Sequence, residues 1–311
     1  MAQIVIALGG NALGDTAASQ LEKCRFAAKS IVDLYEAGND LVIAHGNGPQ
    51  VGQIRLAYEN ACKQGISASV MPFPECTAMS QGYIGYHLQQ SISQELTTRG
   101  RGGTPVVTML TQVIVDENDP AFQNPTKPVG GFYDEATAKA LMEQTGDKYV
   151  EDAGRGWRRV VPSPKPVDIY EKTSLKALMD TKHIVIACGG GGIPVVYRGN
   201  RLEGVDAVID KDFAAATMAS IINADMFVIL TAVDRIALNF NKPDQQELVE
   251  ITVAEAEKYI TEGHFAPGSM LPKVQAACQF ASGGTNRRAI VASLEKAAQA
   301  LKGESGTIVR G

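Results

Sequence analysis

Three apolar segments of this chain run straight into glycine. Residues 3–8 end at Gly9-Gly10-Asn11, residues 41–44 at His45-Gly46-Asn47-Gly48, and residues 183–188 at Gly189-Gly190-Gly191-Gly192. None alternates polar with apolar residues, so each reads as a strand buried on both faces. Further runs at 104–116, 226–231 and 288–292 read the same way, and helical spacing separates them at 18–36, 75–98, 213–223, 253–261 and 270–281. Buried strands alternating with helices predict an α/β fold, an open and mostly parallel sheet sandwiched between helix layers. With 311 residues, 45% hydrophobic and 20% charged, the chain can bury a core of that size.

One stretch breaks the rhythm. Counting Pro105 just upstream, residues 117–166 carry seven of the fourteen prolines, and they hold the only tryptophan, Trp157. Val160, Val161, Phe132 and Tyr133 give this stretch something to bury, so it reads as an inserted, protruding subdomain of about 117–165 within a single 1–311 domain. A helix is expected at 134–144 and a hairpin across Gly154-Arg155-Gly156. Arg155, Arg158 and Arg159 cluster around Trp157, either as solvated arginines or as an anion or interface contact.

Charge and cysteine usage exclude several classes. Lys plus Arg is 29 against 34 Asp plus Glu, a net charge of −5, which argues against a nucleic-acid partner. The longest apolar runs are about eight residues where a spanning helix needs about twenty, so no membrane partner is expected. The N-terminus lacks a basic region ahead of its apolar run, unlike a signal peptide. Five scattered cysteines without a CxxC pair suit a reducing compartment, the cytoplasm.

Ligands of open parallel sheets bind at the carboxyl ends of the strands. Glycine there lets the backbone approach an anion, and a following helix N-terminus favours negative charge. Three such turns at strand ends predict a phosphate-sized site. No Gly-Lys dipeptide exists, so there is no GxxxxGK[ST] loop. Gly46-x-Gly48-x-x-x-Gly52 matches a dinucleotide turn only weakly. Phosphates must therefore meet separate lysines. Lys127 sits in Pro125-Thr126-Lys127-Pro128-Val129-Gly130-Gly131, Lys211 in Asp210-Lys211-Asp212, and Lys273 at the first turn of a helix. A cation at a helix N-terminus is electrostatically misplaced, which marks Lys211 and Lys273 as functional candidates. Asp212 reads alone as an N-cap or as a catalytic carboxylate. His45, His87, His183 and His264 have no metal-ligand spacing and no nucleophile motif.

The chain resembles the carbamate kinases of the amino-acid kinase family. The resemblance runs through Ala7 to Ala12, HGNGPQVG at 45–52, Ser80-Gln81-Gly82, NPTKPVG at 124–130, EDAGRGWRRVVPSPKP at 151–166, AVIDKD at 207–212 and GSMLPK at 268–273. It implies an eight-stranded sheet, a protruding lid and a homodimer. It also implies reversible phosphoryl transfer between carbamoyl phosphate and ADP, with Mg²⁺ held by phosphates and water, in fermentative arginine, agmatine or purine-derived catabolism. By the same resemblance Lys211 and Lys273 flank the transferred group, Lys127 reaches the carbamate end and Asp212 holds the lysines. Gly9, Gly10, Asn11, Gly46, Asn47 and Gly48 cradle carbamoyl phosphate through backbone N–H groups. Thr231, Ala232, Val233 and Met270 line the ADP/ATP pocket. Where the family often has proline, Gly131 is expected to loosen the turn behind Lys127. The alternatives are a kinase for another small acid such as acetylglutamate or aspartate, whose larger substrate needs a side-chain pocket and a carboxylate-binding arginine near the glycine turns, a non-catalytic nucleotide or anion sensor, and a nicotinamide-dependent oxidoreductase.

Overall fold

The computed structural model describes residues 2–9, 14, 16–152 and 154–311; Gly10 and Asn11, both expected at the substrate site, lie outside the described residues. An eight-stranded sheet forms its centre. The strands lie in the order Glu250–Thr252, Thr307–Arg310, Arg288–Ser293, Met226–Thr231, Gln3–Leu8, Asp40–His45, Ile184–Ile186 and Val106–Thr108. Neighbours run parallel except Thr307–Arg310 against Arg288–Ser293.

The period of two along each strand feeds two cores. Val5, Ala7, Val42, Phe227 and Ile229 pack against the helices Lys211–Ile221 and Met270–Ala281. Ile4, Ile6, Leu8, Ile43 and Val228 pack against Ala17–Glu36 and Phe73–Thr98. Both faces are thus dry, which is why these strands read as unbroken apolar runs. The carboxyl ends of Gln3–Leu8 and Asp40–His45 are in register, with Leu8 opposite His45, so their glycine turns emerge on one edge. No helix among the described residues is long and apolar enough to cross a membrane, and the five cysteines are free.

Two expectations need correction. The run 104–116 is two strands, Val106–Thr108 in the large sheet and Gln112–Val115 in a separate four-stranded sheet. The Gln81 side chain cuts it: its amide oxygen takes the Thr111 N–H (2.9 Å) and its Nε2 donates to Thr111 O (3.1 Å), which also accepts from Ile193 N (2.9 Å). The helix expected from residue 213 begins at Lys211, because Asp210, not Asp212, is its N-cap and accepts from Asp212 N at 2.9 Å. The helix Gln50–Lys63 and the strand Thr307–Arg310 had no counterpart in the sequence reading.

The chain leaves the four-stranded sheet after Gln112–Val115 and re-enters it at Pro166–Ile169, with Val115 paired to Pro166. Between them, Lys127–Tyr133, Trp157–Val161 and Lys148–Glu151 form a three-stranded antiparallel sheet. Asp134 caps the helix Glu135–Thr145 beside it. This unit rests on the start of Gln50–Lys63. A Cβ on Gly52 would lie 2.5 Å from Gly130 N, so only glycine lets the two backbones meet.

Arg159 fastens the same seam. It bonds Glu59 of that helix at 3.0 Å and Asp147 at 2.8 Å, and its guanidinium lies 5.6 Å from the buried Phe73 ring.

Candidate active site

Asp212 holds two lysines. Its Oδ1 accepts from Lys211 Nζ at 2.5 Å and its Oδ2 from Lys273 Nζ at 3.3 Å. The Asp212 carboxylate is 3% exposed, so these charges meet in a weakly screened environment. Lys273 also donates to Ser269 O at 3.2 Å. Two residues upstream of Asp212, Asp210 accepts from Lys127 Nζ at 2.5 Å, which ties the protruding unit to the helix N-terminus. Lys127 and Asp210 stand 83 residues apart in the chain, and no spacing rule connects them.

The titration of these groups follows their surroundings. Burial pulls Lys211 below the ordinary lysine range and the Lys273 charge pulls the same way, while Asp212 opposes both. Burial alone would raise Asp210, but Lys127, Lys211 and the Asp212 N–H outweigh it and hold the carboxyl at about 2. Three ammonium groups thus face two carboxylates, and this corner is cationic in a chain of net charge −5.

The glycine turns are locked from behind. Gln81 Nε2 donates to Gly189 O at 2.9 Å, and Cys188 N donates to Thr111 Oγ1 at 3.1 Å. A Cβ on Gly191, at φ +92, would come within 2.1 Å of Ile209 O, so the turn sits directly beneath the segment that delivers Asp210. Asn47 Nδ2 donates to Ser80 Oγ at 3.1 Å. His45 is fully buried and bonds Gly46 O at 2.8 Å, and desolvation lowers its pKa to about 4. Burial thus favours its neutral form at physiological pH.

Two cavities open along this edge. One, of about 290 Å³, is lined by Gly46, Asn47, Gly48, Lys127, Lys211 and Asp212, together with Gly190, Asp210 and Arg158. The other, of about 550 Å³, is lined by Gly9, Lys23, Phe26, Thr231, Ala232 and Asp234. Gly268 and Lys273 line both, so the two meet at the start of Met270–Ala281.

The site residues read from sequence are distributed between these cavities with three departures. Gly9 borders the larger cavity, not the smaller. Its N–H donates to Leu230 O (3.0 Å), and the Gly46 N–H donates to Leu8 O (3.2 Å), so neither is free to hold an anion. No hydrogen bond among the described residues uses the N–H of Asn47, Gly48 or Gly190. Val233 and Met270 lie outside both linings, and Met270 packs against the core instead.

Sequence reasoning missed Asp210, Gly190 as a lining residue, Lys23 and Phe26. It also found no arginine near the glycine turns, whereas Arg158 lines the same cavity as Gly46 and Gly48. Among the described residues no group of three His, Cys, Asp or Glu side chains is placed to hold a metal.

The profile described as "Amino acid kinase family" matches residues 2–293. The chain is 57% identical over 310 residues to a carbamate kinase of Clostridium perfringens, covering 98% of each. It is 52% identical over 307 residues to a carbamate kinase-like protein of Escherichia coli, covering 99% of this chain and 98% of that one. Among solved structures, carbamate kinase from Giardia lamblia bound to AMP-PNP superposes with a TM-score of 0.91 at 43% identity, over 99% of this chain and 98% of that one. An aspartate kinase from Synechocystis, 16% identical with a TM-score of 0.55, shares the fold alone.

Proposed function

We propose that this chain, which belongs to the amino acid kinase family and is a phosphotransferase, moves a phosphoryl group between carbamoyl phosphate and ADP. The observation that carries this reading is the junction of two cavities at Lys273, beside the Lys211–Asp212 pair. The larger cavity has room for a nucleotide, and the smaller, about 290 Å³, suits a small acyl phosphate.

Chemically, a β-phosphate oxygen of ADP attacks the phosphorus of carbamoyl phosphate. The phosphorus–oxygen bond to the carbamoyl group breaks, and carbamate leaves with the electron pair. Such a transfer asks the protein for position and charge rather than for a covalent intermediate. Lys211 and Lys273 neutralise the oxygens of the moving group, and Asp212 fixes their spacing. The N–H groups of Asn47, Gly48 and Gly190 serve the phosphate at the strand ends. Lys127 exchanges Asp210 for the carbamoyl end of the substrate.

Both Asp212 oxygens are already bonded to ammonium groups, so Asp212 fits a hydrated Mg²⁺ as an outer partner rather than as a direct ligand. When bound with the nucleotide, Mg²⁺ neutralises charge on the phosphates. The homodimer, the cytoplasmic location and the fermentative role extend this proposal from the resemblance.

The reading is tested in the ATP-consuming direction with a panel of acids. ADP release is expected with carbamate and not with acetate, aspartate or N-acetylglutamate. Preference for one of the larger acids contradicts the assignment. Lys127→Ala is expected to raise KM for carbamoyl phosphate about tenfold or more, as the loss of a charge-assisted contact does, with KM for ADP within about twofold. Equal losses for both substrates contradict a role at the carbamoyl end.

A further inference from the structure

The hairpin Lys148–Glu151 to Trp157–Val161 carries three arginines whose fates differ. Arg159 is spent on the seam to Glu59 and Asp147. Arg155 and Arg158 share one carboxylate: Asp152 Oδ1 accepts from Arg155 Nη2 and Oδ2 from Arg158 Nη1, each at 3.0 Å. Both guanidiniums also lie 5.0 Å from the Phe132 ring. There the likeness ends. Arg155 is 62% exposed and lines neither cavity, whereas Arg158 is 19% exposed and lines the smaller cavity with Lys127 and Lys211.

Arg158 has donors to spare. A guanidinium carries five N–H bonds in a planar fork. Arg158 commits two, one to Asp152 and one from Nη2 to Gly130 O at 3.2 Å. Its Nε–H is buried with no acceptor among the described residues. A buried donor left unpaired is costly, and an arginine fixed by a carboxylate, a carbonyl and a ring face is pre-organised for a ligand.

We propose that Arg158 binds the carbamoyl end of the substrate, its fork matching the two oxygens that become the carboxylate of carbamate. This rests on the phosphoryl-transfer reading above. Cleavage of the phosphorus–oxygen bond leaves the electron pair on the bridging oxygen, which with the carbonyl oxygen forms a planar anion. Guanidinium pairs with such an anion through two parallel hydrogen bonds, a geometry an ammonium cannot reproduce. Arg158 therefore stabilises charge that develops as carbamate leaves, and Asp152 is its positioning residue.

Arg155 supplies the control, since it shares the carboxylate and the ring of Arg158 but not the cavity. Steady-state ATP formation is measured for wild type, Arg158→Met, Arg158→Lys and Arg155→Met, together with KM for each substrate and the thermal midpoint. Arg158→Met is expected to lower kcat/KM for carbamoyl phosphate at least tenfold with KM for ADP within twofold. Arg155→Met is expected to stay within twofold of wild type in both. Arg158→Lys keeps the charge and loses the fork, so it is expected to recover only part of the loss. It also carries the test if Arg158→Met fails to fold. Equal behaviour of Arg158→Met and Arg155→Met, or full activity of Arg158→Lys, overturns the role of Arg158. A folded wild type that makes no ATP from carbamoyl phosphate overturns the underlying reading as well.

Discussion

Lys211→Ala is expected to lower kcat by about 10³-fold or more while the fold stays intact, the scale seen when a charge that stabilises a phosphoryl transition state is removed. Lys211 is the most enclosed of the three site lysines, 11% exposed against 16% for Lys273 and 31% for Lys127. Low exposure makes its charge count for more at the transferring group. The fold survives because Asp212 keeps Lys273 as a partner, so no buried carboxylate is orphaned. ATP formation, read beside ADP binding and circular dichroism, checks this. A folded variant with turnover within tenfold of wild type contradicts the role.

Asp212→Asn is the second large effect. The substitution keeps the side chain's shape but removes the negative charge that both lysines share. Of the influences on Lys211, Asp212 raises its pKa, whereas burial and Lys273 lower it. Without the carboxylate, burial and Lys273 still lower it and only the smaller pull of Asp210 still raises it, so Lys211 gives up its proton at a lower pH. The charged lysine neutralises the moving group, so activity fades as pH rises through that pKa. The alkaline limb of kcat/KM is therefore expected to move to lower pH than in wild type, along with a fall in kcat of at least about 10²-fold. An alkaline limb that stays in place or moves up contradicts the pairing as the controlling interaction.

The parts that the sequence made legible share a physical cause. Strands such as Gln3–Leu8 and Met226–Thr231 are buried on both faces, which leaves an unbroken apolar run. Lys211 and Lys273 drew notice because a cation at a helix start opposes the dipole. The illegible parts depended on partners distant in the chain. Only the first residues of Gln50–Lys63 are buried, so it carries little apolar period. The run 104–116 looked continuous because nothing in it announces that Gln81, on another helix, occupies the backbone of Thr111.

The same holds in the site. Asp210 looked like a neighbour of Lys211, whereas in space it is the seat of Lys127. Arg155, Arg158 and Arg159 share one stretch of sequence. The strand Trp157–Val161 and its seam send them to solvent, cavity and helix. Gly9 and Gly46 show the converse: glycine after a strand announces a close turn, but their N–H groups extend the sheet.

Direct transfer between the two cavities is tested most plainly by ATP formation from ADP, Mg²⁺ and carbamoyl phosphate, with acetyl phosphate as the comparison donor. The account predicts rapid ATP production from carbamoyl phosphate and little from acetyl phosphate. A folded protein that binds ADP yet forms no ATP from carbamoyl phosphate contradicts it.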